Sequence, residues 1–315
     1  MRVVTFGEAM LRFSPPVAES LEGADHFKVV VAGAEVNVAV ALTRLGFSTS
    51  WMSRLPANVL GRRVIAAVRG HGVDTSHVQW ADEGRLGLYF VDAGLPPRPP
   101  AVIYDRADSA FAGITADDLP GDLLDGADLL HTTGITLALS PGAADAACRL
   151  IETAAQRGID VSFDLNYRRL LWEPAAARAA IVPILPFLRY LFVSSADAST
   201  VLGIGGEPVH QVQSLGSQLP RATVILTAGN SGAWAWDGRL HYRPIIPGVE
   251  IDRIGRGDAF CAGYLFGHAE RDADYGVACG AALAAITQAY AGDVTWSTRE
   301  ELLQVVEQVR VSHFR

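Results

Sequence analysis

The segment Asp252-Arg253-Ile254-Gly255-Arg256-Gly257-Asp258-Ala259-Phe260-Cys261-Ala262-Gly263 joins a glycine turn to the start of an apolar helix. Glycines at 255 and 257 permit a tight turn that brings backbone N–H groups close to a ligand. In the helix that follows, Phe260, Cys261, Tyr264, Leu265 and His268 fall near one face. The glycines therefore sit at a helix N-terminus, where unpaired N–H groups and the helix dipole favour an anion. Asp258 lies in the first turn beside that anion. A carboxylate there can accept a hydroxyl proton while the amides of Gly255, Arg256 and Gly257 hold a transferring phosphoryl group. Taken alone, the fragment fits equally well an ordinary glycine turn with aspartate as the helix cap.

Upstream of this segment, short apolar runs alternate with Ala-rich helical stretches, the pattern of an α/β fold with a mostly parallel central sheet flanked by helices. Strands are expected at residues 3–6, 49–53, 129–132, 159–164, 190–193 and 223–226. Ser140-Pro141 opens a helix that Gly158 closes, residues 34–45 form a helix stopped by Gly46, and Ser297 with Glu300 makes a capping box for a last helix. The chain is read as a single domain over 1–315. Residues 11–31 and 85–106 break the alternation. In the second region Leu86, Leu88 and Phe90 alternate with Gly87, Tyr89 and Val91, a strand period, and residues 94–100 turn the chain back as a hairpin. These pieces are expected to build a small β-sheet lid, with one apolar face that covers substrate or a second subunit, so a homo-oligomer through the lid is expected.

Composition removes several classes of function. A formal net charge of −8 argues against a nucleic-acid partner or an anionic membrane surface, and no apolar run is long enough to span a bilayer. The N-terminus turns polar too soon for a signal peptide. Three dispersed cysteines and histidines without ligand spacing argue for a reducing, cytoplasmic setting and against a structural zinc site. Lys28 is the sole lysine and no G-x-x-x-x-G-K-[ST] surrounds it, so phosphate must be held by backbone amides, arginine or a metal ion. A dinucleotide-dependent dehydrogenase is discarded, because Phe6-Gly7-Glu8-Ala9-Met10 offers one glycine where G-x-G-x-x-G is needed.

The chain resembles the PfkB, or ribokinase-like, family of carbohydrate kinases along nearly its whole length. The family pattern D-x-x-G-A-G-D matches at Asp252, Gly255, Gly257 and Asp258, with Arg256 replacing the alanine. Gly33-Ala34-Glu35-Val36-Asn37-Val38-Ala39 is similar to the family's G-G-x-x-x-N-x-A element, which implies sugar contacts from Gly33 and Asn37. A buried helix with Asn37 satisfied internally is the alternative. Thr227, Gly229 and Gly232 match a T-x-G-x-x-G turn lining the nucleotide site, which otherwise is a plain hairpin. Ser194-Ser195-Ala196-Asp197 stands where the family has N-x-x-E. This implies Ser194 near the nucleotide and Asp197 as an indirect, water-mediated partner of Mg²⁺. The resemblance thus implies ATP as donor, Mg²⁺ as cofactor, and Asp258 as base.

Within the family, Gly87-Leu88-Tyr89, Tyr104-Asp105-Arg106, Gly134-Ile135-Thr136 and Asp164-Leu165-Asn166-Tyr167-Arg168 look like the 2-keto-3-deoxygluconate kinase branch. That implies a small sugar-acid substrate lined by Tyr89, Tyr104, Arg106, Asn166 and Arg168. Arginine binds a carboxylate through two parallel hydrogen bonds, and the pocket of a net-acidic protein needs such local charge. Arg168 follows an expected strand at its C-terminal end, where open α/β sheets place ligands. Arg106 ends the lid hairpin, from where it can swing over the same site. The plain alternative is that both are surface arginines. A fructokinase-like substrate keeps the mechanism without needing them, and a non-catalytic sugar-binding pseudokinase is the reading of another class.

Overall fold

In the computed structural model, which describes residues 1–16, 18–94 and 97–312, all six runs expected as strands are strands, with ends within one residue of expectation. The strands are β1 (Arg2–Phe6), β2 (Met10–Ser14), β3 (Lys28–Ala32), β4 (Ser48–Met52), β5 (Arg54–Pro56), β6 (Gln79–Ala81), β7 (Gly87–Asp92), β8 (Ala101–Asp105), β9 (Leu129–Thr133), β10 (Asp160–Asp164), β11 (Tyr190–Ser194), β12 (Thr223–Thr227), β13 (Ala233–Trp236) and β14 (Leu240–Arg243). One eight-stranded sheet runs β14-β13-β12-β11-β10-β9-β1-β4. From β4 to β12 every pairing is parallel, and β13 and β14 add an antiparallel edge. Central strands such as β9 are buried along their whole length, which is why they read as unbroken apolar runs.

The helices are α1 (Ala34–Arg44), α2 (Val59–Gly70), α3 (Gly134–Leu139), α4 (Pro141–Gln156), α5 (Pro174–Ile181), α6 (Ser195–Thr200), α7 (Pro208–Gln218), α8 (Arg256–Glu270), α9 (Ala273–Thr287) and α10 (Arg299–Ser312). Ser140 caps α4 by accepting from the Ala143 amide at 3.0 Å, and Gly158 takes φ 73° beyond its end. Two expectations are corrected. The cap of α10 is Thr298, whose Oγ1 accepts from the Glu301 amide. Ser297 is buried and turned elsewhere, its Oγ on the Thr298 carbonyl and its own carbonyl held by Arg44. Nor does α8 bury a single face: every residue from Asp258 to Gly267 is buried. It packs against α1 and α9, and Gly263 and Gly280 let α8 and α9 approach until a Cβ on either would press on the other backbone. Among the described residues no helix is long and apolar enough to cross a membrane.

The expected lid is a second sheet of order β3-β2-β7-β8. Val17 of the expected lid and Leu95 and Pro96 of the expected turn lie outside the described residues. Strand periodicity gives the sheet two different faces. Tyr89 and Tyr104, directly paired across β7 and β8, stack at 5.7 Å on one side. On the other, Phe13 stacks on Phe90 at 5.2 Å with Phe27 edge-on to both, and Ile103 is 56% exposed.

Candidate active site

Parallel strands all end on the same side, so residues at their C-terminal ends share one rim. Asp164 ends β10, and on the two neighbouring strands Ser194 and Thr227 end β11 and β12 directly opposite each other. The N-terminus of α8 faces this rim, and the Tyr89 face of the lid sheet lies over it. Together they enclose a cavity of about 880 Å³. All the side chains and glycines singled out from the sequence line it: Gly33, Asn37, Tyr89, Tyr104, Arg106, Asn166 and Arg168 towards the lid, and Ser194, Asp197, Thr227, Gly229, Gly232 and residues 255–258 along the rest.

At the start of α8, Gly255 adopts φ 80°, a left-handed conformation natural only to glycine, and a Cβ there would collide with the carbonyl oxygen of Asp293. The amides of residues 255–258 bond to no acceptor among the described residues; the first bond of the helix runs from the Ala259 amide to the Gly255 carbonyl. These are the orphan donors expected at a helix start. Gly257 has open space where a side chain would stand.

Asp258 is buried beside this row of amides. Its Oδ2 accepts from Asn37 Nδ2 at 2.7 Å. Burial pushes its carboxyl up to about 7, against the pull of the Asn37 bond and the Arg168 charge. A base near neutrality can take a proton and still release it. The Asn37 Oδ1 and the Arg106 Nε are buried without a partner among the described residues.

The two arginines differ. Arg106 is buried, ion-paired with Glu8 and set over the Tyr104 ring at 5.9 Å, so it does not hang free to swing as the sequence suggested. Its charge also reaches buried Glu35, whose carboxyl burial pushes up against hydrogen bonds from Thr133 and Thr136. Arg168 is exposed at the cavity edge and makes no ion pair among the described residues. It faces the charges of Asp164, Asp197 and Asp258.

Burial, with the charges of Asp258 and Asp197, pushes the Asp164 carboxyl up to about 8, a role no local feature of the sequence marks. Burial raises Asp197 as well, against the pull of its hydrogen bond with Ser194, whose Oγ also accepts from the Asp197 amide at the start of α6. Asn166 sits at φ 43°, an angle asparagine tolerates, and donates to Asp164 at 3.0 Å. Arg256 reaches Gln288 at 3.3 Å and Glu250 at 3.6 Å, clear of the amide row. Asp293, Gln288 and the apolar residues 245–246 also line the cavity and carry no sequence signature. Among the described residues no three His, Cys, Asp or Glu side chains converge to enclose a metal ion.

The model described as pfkB family carbohydrate kinase matches residues 1–299. The chain belongs to this family. A 2-dehydro-3-deoxygalactonokinase of Haloferax volcanii is 40% identical over 306 residues, 96% of each chain. A 2-dehydro-3-deoxygluconokinase of Thermoproteus tenax is 34% identical over 84% of this chain and 80% of its own. The crystal structure of 2-dehydro-3-deoxygluconokinase from Thermotoga maritima superimposes with a TM-score of 0.94 at 30% identity, covering 98% of both chains. The large, mostly parallel sheet with its separate small sheet is thus the ribokinase-like fold of carbohydrate kinases.

Proposed function

We propose that the chain, acting as one domain, transfers the γ-phosphoryl group of ATP to the primary hydroxyl of a 2-keto-3-deoxy sugar acid, the gluconate- or galactonate-derived compound. The observation that carries this reading is Asp258 beside the amides of residues 255–258, with Arg168, unpaired among the described residues, lining the same cavity. Asp258 accepts the hydroxyl proton as the oxygen attacks phosphorus. The amides of Gly255, Arg256 and Gly257 take up charge on the phosphoryl oxygens. Arg168 binds the sugar carboxylate, while Gly33, Asn37, Tyr89, Tyr104, Arg106 and Asn166 surround the sugar. Ser194, Thr227, Gly229 and Gly232 line the nucleotide side.

Asp164, Asp197 and Asp258 gather around Arg168 at one end of the cavity, and this donor set suits a hydrated Mg²⁺ better than a caged one. Asp164 and Asp197 would hold it through water. When bound, it neutralises charge on the ATP phosphates. The Phe13–Phe27–Phe90 face supports pairing of two copies through the lid. The free thiols Cys148, Cys261 and Cys279 suit a reducing cytoplasm.

Arg168→Leu separates an acid substrate from a neutral ketose. Loss of a charged hydrogen-bonded pair should raise KM for 2-keto-3-deoxygluconate roughly 10- to 100-fold, with fructose turnover shifted by no more than about threefold. Equal effects on both sugars would move the acid-binding role away from Arg168.

A further inference from the structure

The lid sheet is fastened to the amide row by one buried arginine. Arg12 lies on β2, and its register partner on β7 is Tyr89. All three guanidinium nitrogens are committed: Nε to Ser14 Oγ at 2.8 Å, one terminal nitrogen to Asp293 at 2.7 Å, the other to Asp252 at 2.6 Å. Tyr89 donates its hydroxyl to the second oxygen of Asp293. The two aspartates frame the turn that bears the amides. Asp252 accepts from the Ile254 amide and from the Gly292 amide, both at 3.1 Å, so it ties the approach to the turn to the segment after α9. The Asp293 carbonyl lies where a Cβ of Gly255 would be. Arg12, Asp252 and Asp293 are all under 8% exposed.

We propose that Arg12 is a positioning residue for phosphoryl transfer: by bridging Asp252 and Asp293 it sets the placement of the 255–258 amides and locks β2 and β7 of the lid to them. The inner part of the lid and the amide row then form one rigid unit. A planar, three-nitrogen guanidinium can span two carboxylates and a hydroxyl at once, whereas an ammonium cannot hold that fork. The proposal rests on the phosphoryl-transfer reading above. Because the amides act on the moving phosphoryl group, their displacement lowers turnover rather than nucleotide affinity.

The test uses the full chain with Arg12→Lys, measuring kcat and KM for 2-keto-3-deoxygluconate and ATP well below the unfolding temperature of each protein, with ATP binding followed by calorimetry. The expected result is a kcat reduced roughly 10- to 100-fold, with ATP affinity within about threefold of wild type. If Arg12→Lys does not fold, Arg12→Gln combined with Asp252→Asn keeps the buried cluster at the same net charge and should show the same split. A kcat within about twofold of wild type in a folded variant, with only the melting temperature lowered, overturns the proposal. A wild-type enzyme that transfers no phosphoryl group in the same assay instead defeats the kinase reading itself.

Discussion

Replacing Asp258 with asparagine should trade catalysis for stability, and the structure gives the size of both effects. The carboxylate accepts from Asn37 at 2.7 Å. An asparagine fills nearly the same volume and keeps an acceptor oxygen for Asn37, but it loses the charge and the ability to take a proton. Turnover should fall about 10²- to 10⁴-fold, or roughly 3–5 kcal/mol of barrier. The stability effect has the opposite sign. A carboxyl raised from 3.8 to about 7 holds its proton more tightly folded than unfolded. Its contribution to stability is full below 3.8 and is lost as pH rises through about 7. Asparagine carries no such loss. At about 1.4 kcal/mol per pH unit the ceiling is roughly 4 kcal/mol. Water in the open cavity lowers this to about 1–2 kcal/mol, a melting-temperature gain of roughly 1.5–3 °C. Thermal melts of both proteins at about pH 8 and about pH 4, with ADP release measured alongside, test the pair of effects. The variant should melt higher at the first pH and level with wild type at the second. A variant that melts lower at the higher pH, or that turns over near the wild-type rate, refutes the assignment of a buried carboxylate as base.

Two more outcomes follow from the same geometry. In wild type, kcat/KM for the sugar acid should rise about tenfold per pH unit up to near 7 and then level, since the base must be ionised; a flat profile between about pH 5 and 8 contradicts this. Gly255→Ala forces a left-handed residue against the Asp293 carbonyl, and it should cost about 1–3 kcal/mol in a melt together with most of the turnover. Retention of both by that variant would show that the turn tolerates a side chain.

Much of the fold was legible because parallel strands are buried on both faces and so appear as short apolar runs, with glycine, proline and serine marking helix ends. Gly46, Ser140-Pro141 and Gly158 each stand where the chain changes direction. Thr298 was missed because Ser297 and Glu300 offer the same box one residue earlier; only the packing of Arg44 on the Trp296 and Ser297 carbonyls removes Ser297 from that role. The site was legible where function needs a glycine turn at a helix start, as at residues 255–257. It was not legible where a role comes from a distant partner. Arg12 and Asp293 are 281 residues apart, and nothing local marks either. Arg106 reads as a free cation until Glu8, on the far side of the fold in sequence, is seen to hold it. Asp164 is an ordinary strand-end aspartate until Asp258 and Asp197 are brought beside it.

ADP release by the purified chain, with 2-keto-3-deoxygluconate, 2-keto-3-deoxygalactonate, fructose and no sugar compared under identical Mg·ATP, tests the central claim most directly. The account predicts kcat/KM for one or both acids about 100-fold or more above fructose, as expected where a charged partner is built for the substrate, and almost no release without sugar. Equal rates with all sugars, or none above the sugar-free background, would contradict it.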